Sequence, residues 1–110
     1  MSEYAKKHCV PCEGGVEPMT VEEAHAAMLE IKHWTLGLDA KSIFKEFAFK
    51  NFDETISFVN MVAELAETEG HHPDMHISYD RLKIDLTTHA IGGLSENDFI
   101  LAAHIDELSL

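Results

Sequence analysis

The chain has 110 residues, enough for one domain whose hydrophobic core needs neither disulfides nor a structural metal. Twenty acidic residues against eight basic ones give a formal net charge of −12, which argues against direct binding to nucleic acid or to an anionic membrane. No stretch reaches the roughly 18 apolar residues of a membrane span, and no apolar segment follows the charged N-terminus as in a secretory signal. We therefore expect a soluble cytoplasmic protein.

Residues 1–19 show no helical or strand periodicity, and we interpret them as an irregular arm before a single domain at residues 20–110. The arm contains Cys9 and Cys12 in a C-x-x-C pair, which can bind zinc, exchange disulfides or do neither. A structural zinc site needs two further ligands, and only His8 is near. A thioredoxin-like pair would stand between a strand and a helix. We favour an incidental, reduced pair.

The first part of the domain is predicted to form a helix followed by two strands. Thr20 and Glu23 have the spacing of a capping box, which begins a helix that runs to about Lys32. Apolar residues then alternate with polar ones at 33–39 and at 43–49. This alternation predicts two strands joined by a short polar loop.

A second helix and two further strands are predicted next. Asn51 has the position of a helix cap, residues 52–68 keep helical spacing of apolar side chains, and Gly70 stands where a helix C-terminus places glycine. Residues 75–79 and 82–88 alternate again and predict a second pair of strands.

A third helix ends the domain and completes the predicted fold. Ser95 and Asp98 mark its cap, Leu94 and Phe99 have the spacing of a hydrophobic staple, and the helix runs to about Leu108. The order α-β-β-α-β-β-α predicts an α+β fold, with a four-stranded antiparallel sheet and three helices on one face.

The last two strands are predicted to form a hairpin that brings histidines together. With a two-residue turn at residues 80–81, pairs on one face are all apolar and pairs on the other are polar. This register places His72 opposite His89 at the open end, on the face away from the helices, with Cβ atoms roughly 4.5–5.5 Å apart. His71 points the other way unless Pro73 redirects the chain.

Such a histidine cluster is typical of a proton-transfer site, because imidazole titrates near neutral pH. The neighbouring Gly92 and Gly93 would let the backbone approach a ligand closely. Two alternatives are solvated surface histidines and a metal site. Adjacent histidines in an extended chain diverge, and no third ligand has metal spacing, so we expect no metal at this place.

The run from Glu67 to Asp74 and the run from Thr88 to Asp98 together resemble pterin-4a-carbinolamine dehydratases. The shared pattern is His-His-Pro followed by Thr-His and a glycine pair. Trp34 and residues 42–50 are also similar to that family, and the resemblance covers about residues 20–108. It implies a homodimer or homotetramer with this α+β fold.

The resemblance also implies an activity: dehydration of 4a-hydroxytetrahydropterin to quinonoid dihydropterin, without a metal or an organic cofactor. This reaction recycles tetrahydrobiopterin for aromatic amino acid hydroxylases. The catalytic histidines that the resemblance implies are His71, His72 and His89. The substrate-binding positions that it implies are Glu67, His71, His72, Pro73, Thr88, His89, Ala90, Ile91 and Asp98.

The residues leave open which histidine is the acid and which the base. A second hypothesis is a non-enzymatic interaction module, such as a cofactor for transcription-factor dimerisation. A third is a pterin-binding protein without catalysis, which the presence of all three histidines disfavours.

Overall fold

The computed structural model describes residues 3–10 and 16–110, so Cys12 of the C-x-x-C pair lies outside the described residues. A 3-10 helix at Glu3–Lys6 precedes α1 and lies in the arm that we predicted to be irregular. The helices are α1 (Val21–Met28), α2 (Phe52–Glu69) and α3 (Glu96–Asp106), and the strands are β1 (Thr35–Leu36), β2 (Ile43–Ala48), β3 (Asp74–Ser78) and β4 (Arg81–Leu86). No helix among the described residues is long and apolar enough to cross a membrane.

The four strands form one antiparallel sheet in the order β1-β2-β4-β3. The predicted α+β fold and element order are confirmed. Alternate residues of β4 point into the core, and Leu82, Ile84 and Leu86 are fully buried there. From α3 the core receives Phe99 and Leu101, also fully buried. The sheet and the helices therefore share one apolar core, which fixes where the strand ends lie.

The cap predicted for α1 is confirmed, but the helix ends earlier than predicted. Thr20 Oγ1 accepts a hydrogen bond from Glu23 N, and Glu23 Oε1 accepts one from Thr20 N. The helix ends at Met28 rather than near Lys32. The chain bends at residues 31–33 just beyond, and His33 adopts φ 68° shortly before β1 begins at Thr35, which a continued helix would not allow.

The cap and the C-terminus predicted for α2 are both confirmed. Asn51 Oδ1 accepts a hydrogen bond from Glu54 N at 2.9 Å, which satisfies one of the free amides of the first turn. Gly70 adopts φ 69° and donates its N–H to Ala66 O, as a left-handed C-terminal residue does. The chain leaves α2 at Gly70 and passes directly into His71.

The predicted β3–β4 register is wrong by two residues. The observed pairs are Ile77 with Leu82 and Ser78 with Arg81, so the turn is Tyr79–Asp80 rather than residues 80–81. Arg81 already pairs with β2 on its other side, and the Asp80 carbonyl accepts from Phe49 N, so the turn lies before Arg81. A two-residue slip keeps every side chain on its face, and for that reason the apolar pattern could not detect it.

In this register His72 and His89 do not face each other across the hairpin, so that prediction is also wrong. The ladder between β3 and β4 starts at Asp74 and ends at Asp85, so neither histidine belongs to it. His89 instead begins a second 3-10 helix, His89–Ile91, which is closed by Gly92 at φ 69°. The histidines are therefore positioned by loops and by their carboxylate partners rather than by strand pairing.

Candidate active site

The least exposed of the predicted histidines is His71, which follows α2 directly. Its side chain is only 11% exposed, and its Nε2 lies 2.6 Å from Oδ1 of Asp98. The Asp98 side chain is fully buried in the first turn of α3. The structure thus joins two predicted site residues that are 27 positions apart.

Asp98 is itself held by two further donors. Its Oδ2 accepts hydrogen bonds from Thr88 Oγ1 at 2.8 Å and from Ser95 N at 3.0 Å. The hydroxyls of Thr88 and Ser95 lie 2.7 Å apart, and Thr88 is also buried. These contacts fix the carboxylate, and the fixed carboxylate in turn orients the ring of His71.

The network determines which nitrogen of His71 can meet a substrate. An ionised carboxylate only accepts hydrogen bonds, so Nε2 carries the hydrogen that points to Asp98. Nδ1 is then the nitrogen that can exchange a proton with a bound molecule. An imidazole that is oriented by a buried carboxylate is a common arrangement for proton transfer.

The other two predicted histidines are exposed, and each pairs with a different carboxylate. His72 Nε2 is in close contact with Oε2 of Glu67, on the last turn of α2. His72 therefore faces a helix residue, not the outer face of the sheet as we predicted. His89 Nε2 lies 3.5 Å from Oδ2 of Asp74, the first residue of β3. Because Asp74 follows the His71–Pro73 segment closely, this contact places His89 beside that segment.

The remaining predicted positions lie in the segments before β3 and after β4. Thr88 pairs with Gly93 in an isolated bridge, with a hydrogen bond from Thr88 N to Gly93 O of 2.9 Å. This bridge closes the loop that contains Ala90, which is exposed, and Ile91, which is half-buried like Pro73. The side chains of these three residues are apolar, and their part in substrate binding stays a prediction.

Two residues of this region were missed by sequence reasoning. Ser95 and Asp98 form the predicted cap, but the contact of the Ser95 hydroxyl with Thr88 was not predicted. Asp74 was quoted as part of the motif, but its pairing with His89 was not predicted. The capping-box spacing predicts the contact of Asp98 with Ser95, whereas no local spacing joins Ser95 to Thr88 or His89 to Asp74.

An open groove of about 560 Å³ lies elsewhere on the molecule. It is lined by the segment after α1, by Lys45 of β2 and by the end of α3, and none of the predicted site residues lines it. There Asp106 accepts hydrogen bonds from Trp34 Nε1 at 2.9 Å and from Lys45 Nζ at 2.8 Å. These contacts occupy the Asp106 carboxylate and the Lys45 ammonium, and we assign the groove no catalytic role.

The cysteine of the arm that the structure describes is not activated. Burial, together with the nearby Glu69 carboxylate, raises the pKa of the Cys9 thiol to about 12. A thiol with that pKa is protonated at neutral pH, whereas redox exchange requires a thiolate. This supports the interpretation that Cys9 takes no part in redox chemistry.

The model of the family described as pterin 4 alpha carbinolamine dehydratase matches residues 17–108. The chain belongs to this family. A protein from Halorhodospira halophila, named "Putative pterin-4-alpha-carbinolamine dehydratase", is 48% identical over 93% of this chain and 94% of its own. A protein of the same name from Nitrosospira multiformis is 49% identical over 98% of this chain and 94% of its own.

Two solved structures have a similar fold. A transcriptional coactivator/pterin dehydratase from Brucella melitensis matches 82% of this chain and 96% of its own, with a TM-score of 0.76 and 28% identity. A pterin dehydratase-like protein described as a RuBisCO assembly factor in the alpha-carboxysome matches 59% of this chain and 75% of its own. Its TM-score is 0.51 and its identity 29%.

Proposed function

We propose that the protein dehydrates 4a-hydroxytetrahydropterin to quinonoid dihydropterin and water, in tetrahydrobiopterin recycling. Membership of the carbinolamine dehydratase family supports the reaction class. The hydrogen-bonded network of His71, Asp98 and Thr88 is the observation that carries the histidine mechanism. The network orients the imidazole of His71. His72 is the next residue in the chain, and His89 contacts Asp74.

The chemistry requires two proton transfers and no change of oxidation state. The C4a hydroxyl leaves as water after it receives a proton, and the adjacent ring nitrogen loses its proton as the new C=N bond forms. Two imidazoles in opposite protonation states can carry out both transfers. No covalent intermediate is needed, because a carbinolamine hydroxyl is a reactive leaving group.

The electrostatics suggest how the histidines divide these roles. When Nδ1 of His71 takes a proton, the resulting imidazolium faces the buried Asp98 carboxylate, which stabilises positive charge. His71 therefore fits the proton acceptor. His89 and His72 are exposed and can equilibrate with water, so they are the candidates for delivering the proton to the leaving hydroxyl.

A stopped-flow assay tests this function directly. A hydroxylase reaction would generate 4a-hydroxytetrahydropterin in the mixing cell, and absorbance would follow its decay with and without the protein. We expect the protein to accelerate the decay in proportion to its concentration. A decay rate that stays at the buffer value with a folded sample would contradict the proposal.

An interaction module is the second candidate, and two observations favour it. The two solved relatives are described as a coactivator/dehydratase and as an assembly factor. In addition, Phe52, Ile77 and Tyr79 are exposed apolar residues, and the rings of Phe52 and Tyr79 stack at 6.5 Å. A stable complex with a partner protein, together with no acceleration in the stopped-flow assay, would favour this candidate over the enzyme.

A further inference from the structure

We propose that the arm contributes to a binding site for a divalent transition metal, formed by His8, Glu69 and His104. His8 comes from the arm, Glu69 from the last turn of α2, and His104 from the last turn of α3. One donor atom of each lies within 4.8 Å of the donor atoms of the other two. Two imidazoles and one carboxylate are a ligand set that suits zinc or iron(II).

Glu69 supplies an enclosed negative charge. Its side chain is 4% exposed, its Oε1 accepts a hydrogen bond from Cys9 N at 2.8 Å, and its Oε2 lies 2.9 Å from His8 Nδ1. Burial by itself would raise the pKa of Glu69, but these two partners outweigh it and hold the pKa below its usual value. The carboxylate is therefore ionised and ready to bind a cation at neutral pH.

His104 is arranged in the way that metal-bound histidines often are, whereas His8 would release to water the Nδ1 hydrogen that it shares with Glu69 when it binds the ion. His104 Nε2 lies 2.7 Å from the carbonyl oxygen of Lys7, which can only accept, so Nε2 carries the hydrogen and Nδ1 keeps a lone pair. Metal-bound histidines commonly donate their other ring N–H to a backbone carbonyl. The ring of His8 stacks on that of His104, with centroids 5.7 Å apart.

A metal would need only a small contraction of this cluster. Tetrahedral zinc with ligand bonds of ~2.1 Å separates its donor atoms by roughly 3.4 Å, so donor atoms that lie within 4.8 Å of one another must draw in by at most about 1.4 Å. His8 can supply this movement because its side chain is 79% exposed. Three protein ligands leave the fourth position for water, and the bound ion would fasten the arm to the ends of α2 and α3.

This proposal does not rest on the dehydratase activity. The ligands are different residues from the network of His71, Asp98 and Thr88, and the readout is metal binding. In the sequence only His8 is near the cysteines, and a C-x-x-C pair with one histidine lacks ligands for zinc. In the folded chain, Glu69 and His104 lie beside His8 and provide the missing ligands.

The experiment titrates metal-free, reduced full-length protein with Zn²⁺ by calorimetry and with Co²⁺ by absorption spectroscopy. We expect one ion per chain and a rise in melting temperature on the order of 5 °C at saturating Zn²⁺. His8→Ala and Glu69→Gln should each weaken Zn²⁺ binding at least about tenfold. His8 is exposed, so its variant tests the ligand without loss of the fold. His25→Ala, on the exposed face of α1, is the matched control and should bind normally.

Two further variants exclude other ligand sets. The double variant Cys9→Ser with Cys12→Ser and the variant His71→Ala should both keep wild-type affinity for Zn²⁺. The proposal is overturned if wild-type protein binds no stoichiometric ion, or if His8→Ala and Glu69→Gln bind as tightly as wild type. It is equally overturned if the cysteine double variant or His71→Ala loses the site.

Discussion

The three histidines of the motif differ in burial and in their carboxylate partners. This difference determines how the rate and the stability should respond when each is substituted. His71 is partly buried and bonded to Asp98, whereas the side chains of His72 and His89 are 62% and 73% exposed. Removing an exposed imidazole should change the free energy of unfolding by little. Removing His71 should lower it, because the buried Asp98 carboxylate then loses a hydrogen-bond partner. At this scale, effects on rate and effects on stability can therefore be separated.

His89→Ala and His71→Ala should both lower the dehydration rate, by about a hundredfold, the low end of what a positioned proton-transfer group contributes. His89→Ala should change the free energy of unfolding by less than about 0.5 kcal/mol, and His71→Ala should cost about 1–3 kcal/mol. Stopped-flow rates and urea unfolding measure both. His76→Ala is the control, since His76 is exposed on β3 and pairs only loosely with Asp85 at 3.5 Å. Wild-type rates for both site variants would refute the assignment.

Asp98→Asn tests whether the carboxylate acts through His71. The amide keeps the size of the side chain but removes the charge that orients and stabilises the imidazolium, so kcat should fall at least about tenfold while KM changes little. The double variant with His71→Ala should be no slower than His71→Ala alone. Asp106→Asn changes a carboxylate that bonds Trp34 and Lys45 instead, and it should leave kcat unchanged. Additive losses in the double variant would contradict the coupling.

Cys9 should react slowly with iodoacetamide in the native protein, because only the thiolate attacks and its pKa is raised to about 12. A raised pKa keeps the thiol protonated across neutral and mildly alkaline pH, and reactivity should increase only as the pH nears that value. Mass spectrometry of the Cys12→Ser variant isolates Cys9. The same sample in denaturant should react quickly. Rapid alkylation of native protein at pH 8 would be the contrary result.

At the scale of elements, the end of α2 determines where the site begins. Gly70 adopts φ 69°, a left-handed conformation, and this turn sends the chain from the helix into His71. A Cβ at Gly70 would meet no atom within 4 Å, so a substitution there is penalised by backbone conformation alone. The end of α2 therefore requires glycine because of the left-handed backbone conformation, and not because space for a side chain is lacking.

Gly70→Ala should lower the free energy of unfolding by about 1 kcal/mol, the cost of a left-handed conformation for an L-residue with a Cβ. Gly70→Asn should cost less, because asparagine tolerates that conformation better. Urea unfolding of both variants beside wild type measures the difference. Equal stability of the alanine variant and wild type would show that the helix can end in another way.

At the scale of the whole molecule, net charge and exposed apolar surface have opposite effects on the association of one copy of the chain with another. The net charge of −12 favours separation of chains, whereas Ile77 and Tyr79 are exposed on or beside β3, an edge strand of the sheet. Within α2, Phe52 is the large apolar side chain that remains exposed. An edge strand next to exposed aromatic rings is therefore the surface at which we expect copies of the chain to meet.

Sedimentation analysis should therefore give a mass of two or four times the 12.3 kDa of one chain. Ile77→Lys should shift the mass toward the monomer, because lysine on an edge strand opposes strand pairing. Ser57→Lys makes the same charge change on the exposed face of α2 and should not. A monomeric wild type would contradict the expected oligomer, and an unchanged mass for Ile77→Lys would move the interface away from this edge.

The sequence by itself determined the features that depend on neighbours in the chain. The caps of Thr20 and Asn51, the end of α2 at Gly70 and the core-facing residues of β4 were predicted correctly, because residues three or four apart, or alternating, decide them. The predicted register of the hairpin was wrong by two residues, because it too was derived from a local pattern. Alternation has a period of two, so it specifies a face but not a partner.

Only the tertiary structure decided which side chains meet. The contact of His71 with Asp98 spans 27 residues, and that of His8 with Glu69 spans 61. No local pattern encodes such distances, since they follow from how α2, α3 and the sheet pack around one core. Glu67 and Asp98 were expected from the motif as acidic positions, yet their different roles follow from burial alone. Asp98 lies inside the core and fixes His71, whereas Glu67 lies at the surface beside His72.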